Sequence, residues 1–114
     1  MLAECELRAG HKKEAAELIN QVRARNYENR NDPDPVTAAN LDEYRMLDEW
    51  MIEFLGEGRR RTDLIRWGAF TSEAWGDHTP SNDKNMNRFP IPNSAISANN
   101  LIKQNPGYGG TAEE

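Results

Sequence analysis

The sequence predicts a mainly α protein: a tetratricopeptide-like helical hairpin, further helices, and an extended, irregular C-terminal segment. Three observations predict it. Strong helix formers fill residues 2–8 and 12–26 on either side of Gly10-His11. Apolar residues recur at helical spacing from Tyr44 to Leu55. Beyond Gly68 the chain becomes polar and rich in Asn, Pro and Gly.

The hairpin occupies residues 1–26. In its second arm Ala15, Leu18, Ile19 and Val22 fall on one stripe, with Lys12, Lys13, Glu14, Glu17, Gln21 and Arg25 largely elsewhere. The first arm starts inside its pattern with no Ser, Thr, Asp or Asn ahead of it, which predicts that its natural start is missing and that the chain is a C-terminal piece of something longer. No second copy of the hairpin follows at the ~34-residue tetratricopeptide period, and a lone repeat cannot bury its own face.

Residues 27–39, with Asn29, Asn31, Asp32, Pro33, Asp34 and Pro35, predict an exposed loop. A bent helical region follows over 40–67, with Asn40 as N-cap and Glu43 at the N3 position. Tyr44, Leu47, Met51, Phe54 and Leu55 form its apolar stripe, and Trp50 and Ile52 stand on flanking faces. Gly56 and Gly58 predict a bend or break, since two glycines there cost roughly 2 kcal/mol against alanine. Gly68 is the expected C′ residue. Residues 68–114 then read as a long surface loop, the extended Phe89-Pro90-Ile91-Pro92, turn chemistry through Gln104-Asn105-Pro106-Gly107-Tyr108, and a frayed tail from Gly109 to Glu114.

Composition narrows the function classes. The 114 residues leave room for one domain with a thin core, 37% hydrophobic and 29% charged. A net charge of −5 supplies no general positive field for nucleic acid. No apolar run approaches the ~20 residues of a membrane span, and Met1-Leu2-Ala3-Glu4-Cys5 lacks the features of a signal peptide. A lipid on Cys5 is rejected because Glu4 stands where a small residue belongs; Cys5 is expected as a small buried helix residue.

Few residues offer catalytic chemistry. His11 and His78 have no partners at metal-ligand spacing, and Asp83-Lys84-Asn85-Met86-Asn87 departs from a calcium loop at Arg88 and Ser94, so neither metal nor cofactor is expected. Cys5 has no base placed beside it by any signature. Around Gly56 and Gly58, Glu53, Glu57, Arg60, Asp63 and Arg66 are expected to form a structural ion network, with Glu57 pairing Arg60 and Asp63 pairing Arg66. A glycosidase pair of carboxylates is disfavoured there, because the adjacent arginines would hold both acids ionised.

Leu18-Ile19-Asn20-Gln21-Val22-Arg23-Ala24-Arg25, the Glu-Phe-x-x-Glu-Gly-x-Arg-x-x-Asp-Leu-x-Arg-Trp run from Glu53 to Trp67, Phe89-Pro90-Ile91-Pro92 and Gln104-Asn105-Pro106-Gly107-Tyr108 come in order over most of the chain. Together they resemble the C-terminal part of SusD/RagB-type proteins, outer-membrane nutrient-binding lipoproteins of Bacteroidota. Trp50 and Met51 depart from the arginines usual after Glu49, and Gly56, Arg61 and Thr62 from the usual aromatics. The resemblance implies a non-catalytic glycan- or nutrient-binding component of an uptake complex at the outer-membrane surface. Its partners would be a SusC-like TonB-dependent transporter and an oligo- or polysaccharide, with membrane attachment through an anchor absent from this chain. Trp75, Asp77 and His78 are the only local group suited to sugar contact, against the blander expectation that Trp75 pins the loop. The alternative is a tetratricopeptide-like interaction module that docks a partner protein.

Overall fold

A computed structural model describes residues 1–28 and 31–109. The protein is mainly α. Five α-helices run in the order α1 (Leu2–Arg8), α2 (Lys12–Arg23), α3 (Glu43–Glu53), α4 (Arg60–Arg66) and α5 (Asn93–Ala98), with 3-10 turns at Ala24–Asn26 and Lys84–Asn87 and no strand among the described residues. The chain forms two compact units, one from Met1 to Asp63 and one from Leu64 onward.

In the first unit α1 and α2 form the expected hairpin. Gly10, at φ +88°, makes the turn: its N–H donates to the Leu7 carbonyl and that of His11 to the Glu6 carbonyl, both at about 3 Å. These are the two bonds of a Schellman cap, which needs a left-handed residue at C′ and therefore selects glycine. Ala15, Ala16 and Ile19 are the buried face of α2. Val22 is exposed despite its place on the predicted stripe, and Cys5, expected buried, is exposed on α1.

The buried face of α3 also differs from the predicted stripe. Met46, Leu47 and Trp50 are buried, whereas Tyr44, Met51 and Leu55 are exposed. The reason is polar: the Trp50 indole N–H donates to Glu4 of α1 at 2.7 Å, and Glu4 is itself buried and held by Arg8 at 2.9 Å. A Trp ring can be buried once its N–H finds an acceptor, and that acceptor lies on a neighbouring helix. Asp42, not Asn40, caps α3, its carboxylate accepting from the Arg45 N–H at 2.8 Å. Asn40 is instead committed to a turn, where it exchanges hydrogen bonds with Thr37. This shift puts the buried Leu41 and Met46 at the positions of a hydrophobic staple.

The loop between α2 and α3 is tied down rather than simply exposed, though Asn29, one of its predicted turn residues, lies outside the described residues. Asn20 of α2 binds both the N–H and the C=O of Val36, at 2.9 and 2.7 Å, and Val36 is nearly inaccessible. Arg23 reaches Asp32 through two bonds of 2.6 and 3.0 Å, Glu49 of α3 at 2.8 Å, and the Asp34 carbonyl at 3.0 Å. Arg45 holds the same Glu49 at 2.9 Å and Asp34 at 2.7 Å.

The bond from Arg23 pulls the Asp32 carboxyl below its ordinary value, and burial opposes this without reversing it. The same bond raises Arg23 against its own burial. Burial likewise opposes the charge on Arg45, but its hydrogen bonds to Asp34 and Glu49 together outweigh that, so its pKa also rises.

Past α3 the chain breaks at Phe54–Gly58, as the glycines predict, and α4 begins at Arg60. From residue 68 onward the sequence predicts only loop and extended chain. There α5 forms over Asn93–Ala98, because Pro92 ends the extended segment at φ −56° and the short run Asn-Ser-Ala-Ile-Ser-Ala contains no breaker. The expected frayed tail falls, from residue 110, outside the described residues.

Removal of Arg23 takes the cation from Asp32, only 12% exposed, and leaves Glu49, 10% exposed, to Arg45 alone, while the Arg25–Glu53 pair, 60% and 32% exposed, belongs to the class worth ~0–1 kcal/mol. Arg23→Ala is therefore expected to lower the melting temperature clearly and Arg25→Ala hardly at all. Because the Asp32 pKa is depressed on folding, its contribution is complete above the unfolded value of ~3.9 and is lost as pH falls through the folded value. The stability gap between the wild type and Asp32→Asn should stay constant from neutral pH down to about 4 and close below it, as followed by urea denaturation at a series of pH values.

Candidate functional site

The polar stretch after α4 is where the sequence places its candidate contact residues. It leaves the helix through a second Schellman cap, with Gly68 at φ +77°, its N–H on the Ile65 carbonyl and that of Ala69 on the Leu64 carbonyl. Thr71 is buried, and its carbonyl accepts from the Asn82 N–H at 2.8 Å, which closes the segment between them into a loop. Asn82 takes φ +56°, a left-handed conformation that Asn tolerates better than most residues.

At the head of that loop Trp75, Gly76, Asp77 and His78 form a tight turn, with the His78 N–H on the Trp75 carbonyl at 2.9 Å and an isolated antiparallel bridge between the two residues. The His78 ring stacks on Trp75, centroids 3.8 Å apart and planes 19° from parallel. Phe70 lies 6.2 Å from His78 and 6.3 Å from Trp75, completing a three-ring cluster. Trp75 and His78 are half-buried and Asp77 is exposed at the tip. His78 Nε2 is buried without a hydrogen-bond partner. The turn thus brings Trp75, Asp77 and His78 together and adds Phe70, which the sequence reading passed over because it sits just past the helix end. One face of Trp75 is spent on His78; an apolar ring edge and a carboxylate beside it can take up a polyhydroxylated ligand.

The extended Phe89–Pro92 segment is held by side-chain amides instead of a neighbouring strand. Gln104 Oε1 accepts from the Ile91 N–H at 2.7 Å, and its Nε2 donates to the Ile91 carbonyl at 2.8 Å. Asn105 donates to the Phe89 carbonyl at 2.8 Å and the Tyr108 hydroxyl to the Arg88 carbonyl at 2.6 Å. Gly107 closes the turn at φ +85°, where a Cβ would sit 2.5 Å from the Asn85 side chain.

Of the five residues expected as an ion network, several also have partners outside it. Glu53 takes Arg25 at 2.6 Å, and Glu57 is exposed on the turn after α3. Arg60 donates to the Leu47 carbonyl at 2.7 Å and lies 3.6 Å from Asp48. Asp63 is buried, with Arg59 3.5 Å away, and Arg66 stands exposed in the last turn of α4. The tighter network around Arg23 was missed. Its signal was present as Arg23, Asp32, Asp34, Arg45 and Glu49, but no fixed spacing links a helix to a loop and a second helix. Among the described residues no three or more His, Cys, Asp or Glu gather as a metal site, and no helix is long and apolar enough to cross a membrane.

The ordered sequence motifs thus fall on a hairpin, a capped and broken helical pair and an amide-held C-terminal strap. The SusD family model matches residues 1–108, and the chain belongs to that family. The starch-binding protein SusD of Bacteroides thetaiotaomicron is 39% identical over 75 residues, which cover 60% of this chain and 14% of that protein. The chain therefore spans a small part of the relative's length. Solved structures give no significant match.

Gln104→Leu would leave the Ile91 N–H and C=O without their partner, a loss of ~1–3 kcal/mol when such groups stay buried. Hydrogen exchange at the Ile91 amide should accelerate markedly in this variant while the amides of α2 keep their wild-type rates. Unchanged Ile91 protection would show that the strap holds without Gln104.

Proposed function

We propose that this protein is a non-catalytic glycan- or nutrient-binding component of an outer-membrane uptake complex, with the present chain forming the C-terminal portion of the binding protein. Family membership over residues 1–108 carries the proposal, and the starch-binding name of a 39% identical relative supports sugar as the ligand class. A SusC-like TonB-dependent transporter is the expected partner and the outer-membrane surface the expected location, with attachment through a lipid anchor. The C-terminal placement is supported by the order of the four motifs.

Within this chain the turn Trp75–His78 is the proposed point of ligand contact. It offers a half-buried indole face, an exposed carboxylate at Asp77 and an imidazole, on a loop held at its base by Thr71 and Asn82. Sugar rings dock on aromatic faces through their apolar C–H side while hydroxyls reach nearby acceptors. His78 supports the ring of Trp75 from behind and does not act as a base.

The test is affinity electrophoresis and calorimetry with starch, other neutral polysaccharides and pectin, on the wild type, Trp75→Ala and Asp77→Asn. Binding that Trp75→Ala weakens by about tenfold or more, at an unchanged melting temperature, is the expected outcome, in keeping with ~1.4 kcal/mol or more from one aromatic platform. Retention of full affinity in Trp75→Ala would remove the turn from the binding surface.

A further inference from the structure

We propose that the turn between α3 and α4 carries a second site, one that takes a carboxylated sugar ring; this rests on the glycan-binding function proposed above. Around residues 50–61 the first unit forms an open cleft of about 320 Å³. Arg59, Arg60 and Arg61 supply its polar lining, Met51, Phe54 and Leu55 its apolar lining, and no acidic side chain lines it. Three guanidinium groups around one opening are a local inversion of charge in a protein of net charge −5.

Two of these arginines are fixed in place yet poorly supplied with acceptors. Arg59 lies over the rings of Trp50 and Phe54, at 4.4 and 4.7 Å, and approaches Asp63 only to 3.5 Å. Arg60 spends one nitrogen on the Leu47 carbonyl at 2.7 Å, stands 3.6 Å from Asp48, and has its Nε buried with no hydrogen-bond partner. Tight charge-assisted N–H···O bonds are ~2.7–2.9 Å long. The Arg23 pairs in the same unit reach that range, and those of Arg59 and Arg60 with Asp63 and Asp48 do not.

A planar carboxylate is the acceptor that a guanidinium fork matches best. The cleft lies at the small end of the ~300–1,000 Å³ range of ligand pockets, so it suits one ring and not a long segment of polymer or peptide. The aliphatic surface of Met51 and Leu55, both exposed, is available to the C–H face of such a ring. The chemistry selects a uronic acid over a neutral hexose, which would leave the guanidinium charge unmatched.

The Arg Nε–H resonances of the 1–114 chain report the site directly by NMR. Titration with tri-galacturonate is expected to shift the Arg60 Nε–H signal saturably and to weaken as salt is raised, whereas maltotriose leaves that signal in place. Arg61→Gln and Arg61→Glu, with folding checked by circular dichroism, should weaken tri-galacturonate by about tenfold or more, with the charge reversal the worse. Absence of a shift with tri-galacturonate, or an equal one with maltotriose, would overturn the proposal. So would a shift produced by tri-glutamate and not by tri-galacturonate, which would assign the pocket to an acidic polypeptide. A sugar response confined to the Trp75 indole signal would refute the arginine site alone and keep glycan binding, and no response to any sugar would refute both.

Discussion

The joining of α2, α3 and the loop between them depends on one cation, Arg23, whose side chain is only 11% exposed. Arg23 stands at the end of α2, and its guanidinium divides its donors among the loop, through Asp32 and the Asp34 carbonyl, and α3, through Glu49. Glu49 and Asp34 are in turn shared with Arg45, so two positive and three negative groups lock two helices and their connection together. A charge this poorly exposed is costly unless its donors find acceptors, and the connection supplies Asp32 and the Asp34 carbonyl. The loop owes its order to Arg23 and Asn20 more than to its own turn residues. Val36, fixed on both backbone groups by Asn20, then becomes core.

What the sequence made legible follows from how local each cause is. Gly10 and Gly68 were readable as helix ends because a left-handed C′ position excludes almost every other residue. The break at Gly56 and Gly58 was readable for a comparable local reason. The buried face of α3 was not, because its orientation is decided by Trp50 reaching Glu4, a partner 46 residues away in sequence. The cap at Asp42 was hidden by an equally plausible Asn40 two residues earlier, and only the pairing of Asn40 with Thr37 separates them. For the candidate turn, Trp75, Asp77 and His78 could be named from their closeness in sequence, but the stacking of His78 on Trp75 and the approach of Phe70 belong to the folded loop.

The second unit solves a different problem with other means. Phe89-Pro90-Ile91-Pro92 cannot join a regular ladder, because each proline lacks an N–H and the segment has no neighbouring strand among the described residues. Gln104 takes the place of a strand residue, offering one acceptor and one donor to Ile91 just as a backbone unit would. Asn105 and Tyr108 continue the same task on Phe89 and Arg88. The polar residues of the Gln-Asn-Pro-Gly-Tyr motif thus do the hydrogen bonding of a missing strand, and Gly107 is small because Asn85 stands where any Cβ would go.

This allocation of polar groups bears on where recognition can occur. In the first unit Arg23, Arg45, Glu49 and Asp32 are consumed by one another, and in the second Gln104, Asn105 and Tyr108 by the strap. A group engaged in holding the fold cannot be redirected to a ligand without a structural cost comparable to what binding would return. The groups left with capacity are Asp77 beside Trp75 on a turn, and the guanidinium groups of Arg59 and Arg60, whose carboxylate partners stand 3.5 and 3.6 Å away. One place heads the loop closed by Thr71 and Asn82 and the other lies at the break between α3 and α4, and both set an apolar surface against an ionised group. That combination suits a ligand with one apolar and one polar face, and a sugar ring has both.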